Sequence, residues 1–146
     1  MKIVLGFDDS PHAVAALKWI VRNEKPADTQ VTIVSAVRTP VTAYAEVYAP
    51  AVPYPTELIE EVTRHHEELC KRAEDELHRA GFSTSVKVLP GDPREALVET
   101  ARTEKADLLI VGSHGRTGLP KLLLGSVASH VVSHAPCDVL VVKKPV

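Results

Sequence analysis

The residues best suited to chemistry in this sequence are three glycines and a hydroxyl near its C-terminal end. Gly112, Gly115 and Gly125 follow the spacing G-x2-G-x9-G, and Ser126 comes directly after the third glycine. A glycine backbone can approach a ligand closely because it has no Cβ, and the unpaired N–H groups at a helix start attract phosphate. By chance, the full pattern would occur in fewer than about one in a hundred chains of this length. The spacing therefore predicts an anion-binding cradle; the alternative is a plain turn that needs glycine for packing.

Strands and helices must position this block. An apolar run, 108–111, precedes it and a helical pattern follows it, so strand, loop and helix start come in that order. Nearly continuous apolar runs, typical of strands buried on both faces, are 2–7, 30–37, 84–89, 107–111 and 138–143. Strands that alternate with helices predict a doubly wound α/β domain with a parallel sheet, helices on both faces and right-handed crossovers.

Four helices are predicted between these strands. Ser10 and Pro11 are an N-cap and a first helical residue, and Asp92 and Pro93 open the third helix in the same way. The second helix spans 56–80, and the fourth spans 126–134. The predicted inward stripe of the second helix is Leu58, Val62, Leu69, Ala73 and Leu77.

Composition narrows the class of protein. The 146 residues fit one domain, residues 1–146, and 45% apolar with 25% charged residues is the balance of a soluble globule. With 17 basic and 19 acidic side chains the net charge is −2, which argues against a nucleic-acid or membrane-surface partner. There is no apolar run of transmembrane length and no signal-peptide pattern. Cys70 and Cys137 lack zinc-site or CxxC spacing and are expected to be reduced, mostly structural thiols. Reduced thiols are typical of the cytoplasm, so a cytoplasmic location is expected.

The sequence resembles the nucleotide-binding branch of the universal stress protein family over essentially its whole length. Besides the glycine pattern, the resemblance rests on the Asp-Asp-Ser at 8–10, the Gly-Asp-Pro at 91–93 and the Ser-His-Ala-Pro-Cys at 133–137. It implies a five-stranded parallel sheet in the order 3-2-1-4-5, the adenine nucleotide alpha hydrolase-like fold. The first and fourth strands are then neighbours, and their carboxyl ends form the topological switch point at which such folds bind ligands.

The resemblance also implies a ligand, ATP or AMP, with an accompanying Mg²⁺ left open. Asp8 matches the acidic residue near the ribose, and Val37 matches the position whose backbone reads the adenine edge. The other candidates lie in the turn after the first strand, in the loop around the ribose and phosphates, and in the turn that holds the phosphates. They are Ser10, Gly112, Ser113, His114, Gly115, Arg116, Gly125, Ser126 and Val127. Two departures are Asp9, where relatives often have glycine, and Ala36, where a histidine is common. Asp9 would add a second carboxylate beside the pocket.

Alternatives remain open at several positions. Asp8 can be a local turn acceptor, Ser10 is better explained as an N-cap than as a ligand contact, and Arg116 can be an ordinary surface side chain. His130 and His134 have i, i+4 spacing but no third ligand nearby in the sequence, which favours a surface pair over a metal site. The proline- and tyrosine-rich stretch 38–55 is either a loose connector or a lid or contact surface.

The predicted role is that of a nucleotide-dependent switch or adaptor in a stress response. The alternatives are a slow ATP hydrolase that uses Asp8 or Asp9 with a metal, and an interaction protein whose nucleotide site is vestigial. No catalytic constellation and no P-loop lysine motif is present in the sequence, so no catalytic residue is assigned. The last strand is an apolar edge, and the family resemblance implies homodimerisation through it. The alternative is that Lys143, Lys144 and Pro145 protect the edge.

Overall fold

A parallel sheet of five strands forms the centre of the molecule. The computed structural model describes residues 1–38, 56–115 and 124–144. The strands are β1 (Lys2–Gly6), β2 (Gln30–Val37), β3 (Ser83–Pro90), β4 (Leu108–Gly112) and β5 (Asp138–Val142). All neighbours pair in parallel, in the order β3-β2-β1-β4-β5. The predicted fold class and strand order are therefore confirmed.

Four α-helices connect the strands in the described part of the chain: α1 (Pro11–Asn23), α2 (Thr56–Arg79), α3 (Pro93–Glu104) and α4 (Ser126–His134), with a short 3-10 helix at Pro26–Asp28. The two predicted N-caps are present. The Ser10 hydroxyl accepts a hydrogen bond from the Ala13 N–H at 3.2 Å, and the Asp92 carboxylate accepts one from the Arg94 N–H at 2.9 Å. Each cap satisfies an N–H group that the helix itself cannot pair.

Two cores lie on opposite faces of the sheet. On one face, Leu5 and Ile33 pack with the inward residues of α1 and α2, such as Leu17 and Leu77. On the other face, strand residues pack with α3 and α4. The central strand residues Ile3, Val4 and Leu5 are at most 1% exposed, because helices cover both faces. This double coverage explains why the strand sequences are continuously apolar rather than alternating.

The inward stripe predicted for α2 was wrong at its first position. Leu69, Ala73 and Leu77 are buried, but Leu58 is 42% exposed. A 24-residue helix is about 36 Å long, whereas the eight-residue strands beneath it span about 26 Å. The first turns of α2 therefore extend beyond the sheet, and Leu58 has no strand to pack on.

Among the described residues, none of the helices combines the length and the apolar character needed to cross a bilayer. Of the predicted loop at 38–55, residues 39–55 lie outside the described residues.

Candidate functional site

A cavity of about 340 Å³ opens at the carboxyl ends of the strands, where β1 and β4 lie side by side. The chain leaves β1 for α1 on one face of the sheet and leaves β4 for the elements on the other face. This divergence leaves a crevice, as expected at a topological switch point. Seven of the predicted site residues line the cavity: Asp8, Ser10, Gly112, His114, Gly115, Ser126 and Val127.

Two turns, one after β4 and one before α4, are joined directly. The Gly125 N–H donates a hydrogen bond to the Ser113 carbonyl oxygen at 2.7 Å, so the start of α4 lies against the end of β4. The Ser10 hydroxyl donates a longer bond, 3.4 Å, to the His114 carbonyl oxygen. These bonds bring together residues that the sequence separates, and they hold the wall of the cavity on its β4 side.

The three motif glycines each stand where a side chain would collide. A Cβ on Gly112 would lie 2.7 Å from the His12 backbone carbon, and one on Gly125 would lie 3.2 Å from the Ser113 carbonyl oxygen. A Cβ on Gly115 would meet Asp8 Oδ2 at 2.9 Å. Close packing, the alternative considered from the sequence, therefore accounts for glycine at 112, whereas at 125 the Ser113 backbone would have to shift by only a few tenths of an ångström. At Gly115 the crowded atom belongs to a side chain of the cavity itself.

Asp8 makes the local turn contact considered from the sequence and also lies in the cavity wall. Its Oδ1 accepts a hydrogen bond from the Ser10 N–H at 3.0 Å, which is a local turn contact. The residue also lines the cavity, and its Oδ2 lies on the Gly115 side. The turn bond therefore fixes the carboxylate in a position from which it can accept hydrogen bonds from a ligand hydroxyl.

Asp9 does not add a carboxylate to this cavity, contrary to the expectation from the sequence. It lines a separate groove with Pro11 and Lys18, and its Oδ2 lies 3.6 Å from the Arg72 guanidinium. Its φ of 61° is in the left-handed region, which favours glycine and which Asp adopts at some strain. That backbone angle is a physical reason for the glycine that the family resemblance implies at this position.

The buried hydroxyl of Ser113 contacts two histidines, next to the turn that the sequence predicts to bind phosphate. Ser113 Oγ, in a residue only 1% exposed, lies 3.0 Å from His12 Nδ1 and 3.1 Å from His114 Nδ1. The Lys144 N–H also donates to His12 Nδ1 at 3.0 Å, so this nitrogen is an acceptor. Burial, with smaller contributions from His114 and Lys144, lowers the pKa of His12. The neutral ring that this network requires is thereby favoured.

A second polar cluster lies where β2 reaches the cavity. Ser35 Oγ is 2.7 Å from His66 Nδ1, and both residues line the cavity. The Cys70 thiol is hydrogen-bonded to the same hydroxyl, and burial raises the pKa of Cys70 to about 11. No sequence pattern indicated Ser35 or His66, because their contact depends on how α2 is placed over β2.

Charged groups stand at the rim near α3. Arg94 contacts both carboxylate oxygens of Asp92, and Arg38 lies 3.2 Å from the same side chain. The Arg94 hydrogen bonds hold the pKa of Asp92 well below its usual range. Arg38 and Pro93 reach the cavity wall, so this ion-pair cluster lies at its mouth.

The other sequence candidates have different positions. Val37 ends β2 with its side chain buried, and its carbonyl oxygen accepts a hydrogen bond from the Gly91 N–H at 2.9 Å. Its neighbours Ala36 and Arg38 line the cavity. Arg116 lies outside the described residues.

The histidine pair of α4 lies away from this cavity wall. The rings of His130 and His134 stack at 4.1 Å, and His130 Nε2 is 3.7 Å from a Glu95 carboxylate oxygen. Within residues 1–38, 56–115 and 124–144, no group of three or more His, Cys, Asp or Glu side chains is placed to hold a metal ion.

Comparison with known proteins identifies the family. The sequence model of the Universal stress protein family matches residues 1–143. The chain belongs to the universal stress protein family. One relative, a universal stress protein of Methanocaldococcus jannaschii, is 35% identical over 149 residues, which cover 99% of this chain and 82% of the relative.

Solved structures of universal stress proteins share the fold. A second universal stress protein of M. jannaschii superposes with a TM-score of 0.85 at 29% identity, over 99% of this chain and 96% of its own. A universal stress protein solved in complex with cAMP superposes with a TM-score of 0.66 at 27% identity, over 99% and 98%. Members from Arabidopsis thaliana and Archaeoglobus fulgidus, 18% and 20% identical, are complexes with AMP and dAMP; at that identity they show the common fold alone.

Proposed function

We propose that this universal stress protein binds an adenine nucleotide, ATP or AMP, in the cavity at the ends of β1 and β4. The observation that carries the proposal is the direct Gly125–Ser113 contact, which sets the start of α4 beside the β4 turn on one cavity wall. The cAMP complex of a universal stress protein that is 27% identical to this chain supports the same ligand class.

The order of the strands suggests how the ligand lies. β1 is between β2 and β4, and adjacent strands are about 4.8 Å apart, so the ends of β2 and β4 are about 10 Å apart. Asp8, at the end of β1, would accept hydrogen bonds from the ribose hydroxyls. The phosphates would then lie on the β4 side, and the base on the β2 side near Val37.

Backbone groups supply most of the phosphate contact in this arrangement. The N–H groups of Ser126 and Val127 belong to the first turn of α4, where the helix leaves them unpaired and its dipole is positive. Gly115, in the adjoining turn after β4, keeps this part of the cavity free of a Cβ. An accompanying Mg²⁺ would be coordinated chiefly by the nucleotide phosphates and water, the ligands that Mg²⁺ usually keeps in nucleotide sites.

Isothermal titration calorimetry with ATP and AMP, each with and without Mg²⁺, tests the proposal. A ligand present at 100 times its Kd adds about 2.7 kcal/mol of stability, so a rise in Tm of about 5–10 °C accompanies binding. Absence of both heat and thermal shift at millimolar nucleotide would refute the proposed function.

Two neighbouring carboxylates provide a matched pair of variants. Asp8→Asn keeps the acceptor for the Ser10 N–H but removes the charge from the cavity, and a lost charged hydrogen bond lowers affinity about 10- to 100-fold. Asp9→Asn changes a carboxylate of the separate groove and should leave the affinity unchanged. Equal effects of the two substitutions would contradict the assignment of Asp8.

We further propose that two copies pair through β5 and that ligand binding is transmitted to partner proteins, as in a switch or adaptor. β5 is the edge strand of the described sheet, and its residues Val139 to Val142 are only half-buried in the single chain. An exposed apolar edge tends to be paired. Sedimentation at micromolar concentration should show a dimer, and a monomer alone would exclude the pairing.

We also propose a cytoplasmic location, which fits the two free cysteines.

A further inference from the structure

His66 is a cavity residue that neither the glycine pattern nor the acidic turn explains. It lies on α2, and α2 packs over β2 and β3. Its ring lines the cavity on the β2 side, next to Ser35, Ala36 and Arg38. This is the side opposite to Gly115 and Ser126, so His66 and the helix start of α4 enclose the cavity from different directions.

The ring of His66 is held from behind. The Ser35 hydroxyl lies 2.7 Å from Nδ1 and is itself hydrogen-bonded to the buried thiol of Cys70. Ser35 is 2% exposed and Cys70 is fully buried, so both partners are fixed by the core. A contact between buried, well-packed groups sets the plane of the imidazole before any ligand arrives, and such preorganisation reduces the entropy lost on binding.

We propose that His66 is a ligand-binding residue for the base of the nucleotide, positioned by Ser35; this inference rests on the proposed function above. If the ribose is at Asp8 and the phosphates are beside α4, the base extends toward the end of β2, where His66 forms part of the wall. An imidazole there contacts a flat aromatic ring by stacking or through its ring edge. The neighbouring apolar side chains Val34 and Leu97 provide the rest of a pocket suited to a base.

The chain contains its own control for this proposal. His65 is the adjacent residue on α2, but its side chain is exposed and does not line the cavity, because successive helical residues point about 100° apart. Replacing His65 changes the same residue type, on the same helix, at nearly the same distance along the chain. Any effect of the His66 substitution on net charge or on helix propensity should therefore also appear in the His65 substitution.

The test measures the AMP affinity of five proteins: wild type, His65→Ala, His66→Ala, Ser35→Ala and the Ser35→Ala/His66→Ala double variant. We expect His66→Ala to weaken AMP binding about 5- to 10-fold, the loss of one neutral contact, and His65→Ala to leave it unchanged. Ser35→Ala should weaken binding about 3-fold alone and have no further effect once His66 is absent. That non-additivity identifies Ser35 as a positioning residue.

A second measurement follows the wild-type protein itself and uses the variants only to assign its signals. The ring-proton NMR signals of His66 in the wild-type protein, identified by their absence in His66→Ala or His66→Gln, should shift when AMP saturates the site, whereas those of His65 should not. AMP affinity of His66→Ala within twofold of that of wild type, or unshifted His66 signals at saturation, would overturn the proposal while leaving the proposed function intact. A wild-type protein that binds no adenine nucleotide would refute both.

Discussion

Replacing Gly112 by alanine tests whether this motif position serves packing. The added Cβ would lie 2.7 Å from both the backbone carbon and the Cβ of His12, and 2.8 Å from the Ala13 nitrogen. Non-bonded carbon atoms are normally about 3.5–4.0 Å apart, so β4 and the first turn of α1 would have to separate by roughly 1 Å. Neither side can yield by rotating a side chain, because two of the three crowded atoms belong to the helix backbone.

The expected loss of stability follows from that geometry. Overpacking a core with one methyl group costs about 1–3 kcal/mol, and backbone atoms place Gly112→Ala at the upper end of this range. Alanine lowers the conformational entropy of the unfolded chain relative to glycine, which offsets about 0.4–1 kcal/mol of this loss. The net change in the free energy of unfolding is then about −2 kcal/mol. With an m-value of about 1–3 kcal/mol/M, the urea midpoint should fall by about 1 M.

Gly6→Ala is the matched control. It makes the same change at the end of the neighbouring strand, where the Cβ would meet only side-chain methyl groups of Leu97 and Val111 at 3.1 Å. These groups can shift by rotation, so we expect a change below about 1 kcal/mol. If urea unfolding places the two variants within about 0.5 kcal/mol of each other, the steric explanation of Gly112 is refuted.

Three further predictions concern backbone strain, protonation and thiol reactivity. Asp9→Gly should be more stable than Asp9→Ala by about 1 kcal/mol in thermal unfolding, because only glycine adopts a φ of 61° without strain; equal stabilities would contradict this. The pKa of His12 is lowered in the folded state, so as the pH falls the unfolded chain takes up this proton first. Protonation of His12 therefore does not affect the free energy of unfolding above about pH 6.5, and lowers it increasingly below that pH. His12→Gln should flatten the pH dependence of the unfolding free energy between pH 7 and 5, and an unchanged slope would oppose that. Alkylation at pH 8 followed by mass spectrometry should modify the half-buried Cys137 before Cys70, whose thiol is fully buried with a pKa of about 11; the reverse order would show that α2 opens readily.

The fold was predictable because its local signals agree with one another. Continuous apolar runs marked the strands, and Ser10 and Asp92 marked two helix starts at the residues where the structure has them. The ends of the strands differ from the prediction by about one residue, as expected where helices and strands fray. Leu58 shows that apolar periodicity alone does not predict burial, because the pattern continues along α2 regardless of where the sheet beneath it ends.

The site was predictable only in part. The glycine spacing indicated the turns at Gly112 and Gly125, and the structure joins them. The contacts between Ser113 and His12, 101 residues apart, and between Ser35 and His66, 31 residues apart, had no sequence signal. Each depends on strand register and helix placement, which no local pattern encodes. The position of Asp9 was misjudged for a local reason: its left-handed backbone angle turns the carboxylate away from the cavity.

The turn after β4 is held from three sides, and this bears on how a switch would work. The Ser113 carbonyl oxygen accepts from Gly125 at the start of α4, and the Ser113 N–H donates to the Val142 carbonyl oxygen at the end of β5 at 2.8 Å. The Lys144 N–H, two residues further along, donates to His12, which shares the Ser113 hydroxyl with His114. One residue therefore contacts both the proposed phosphate-binding helix start and the strand proposed to pair between subunits. Any displacement of the turn on binding changes hydrogen bonds at the end of β5 directly, so coupling between ligand and subunit contact requires only this short path.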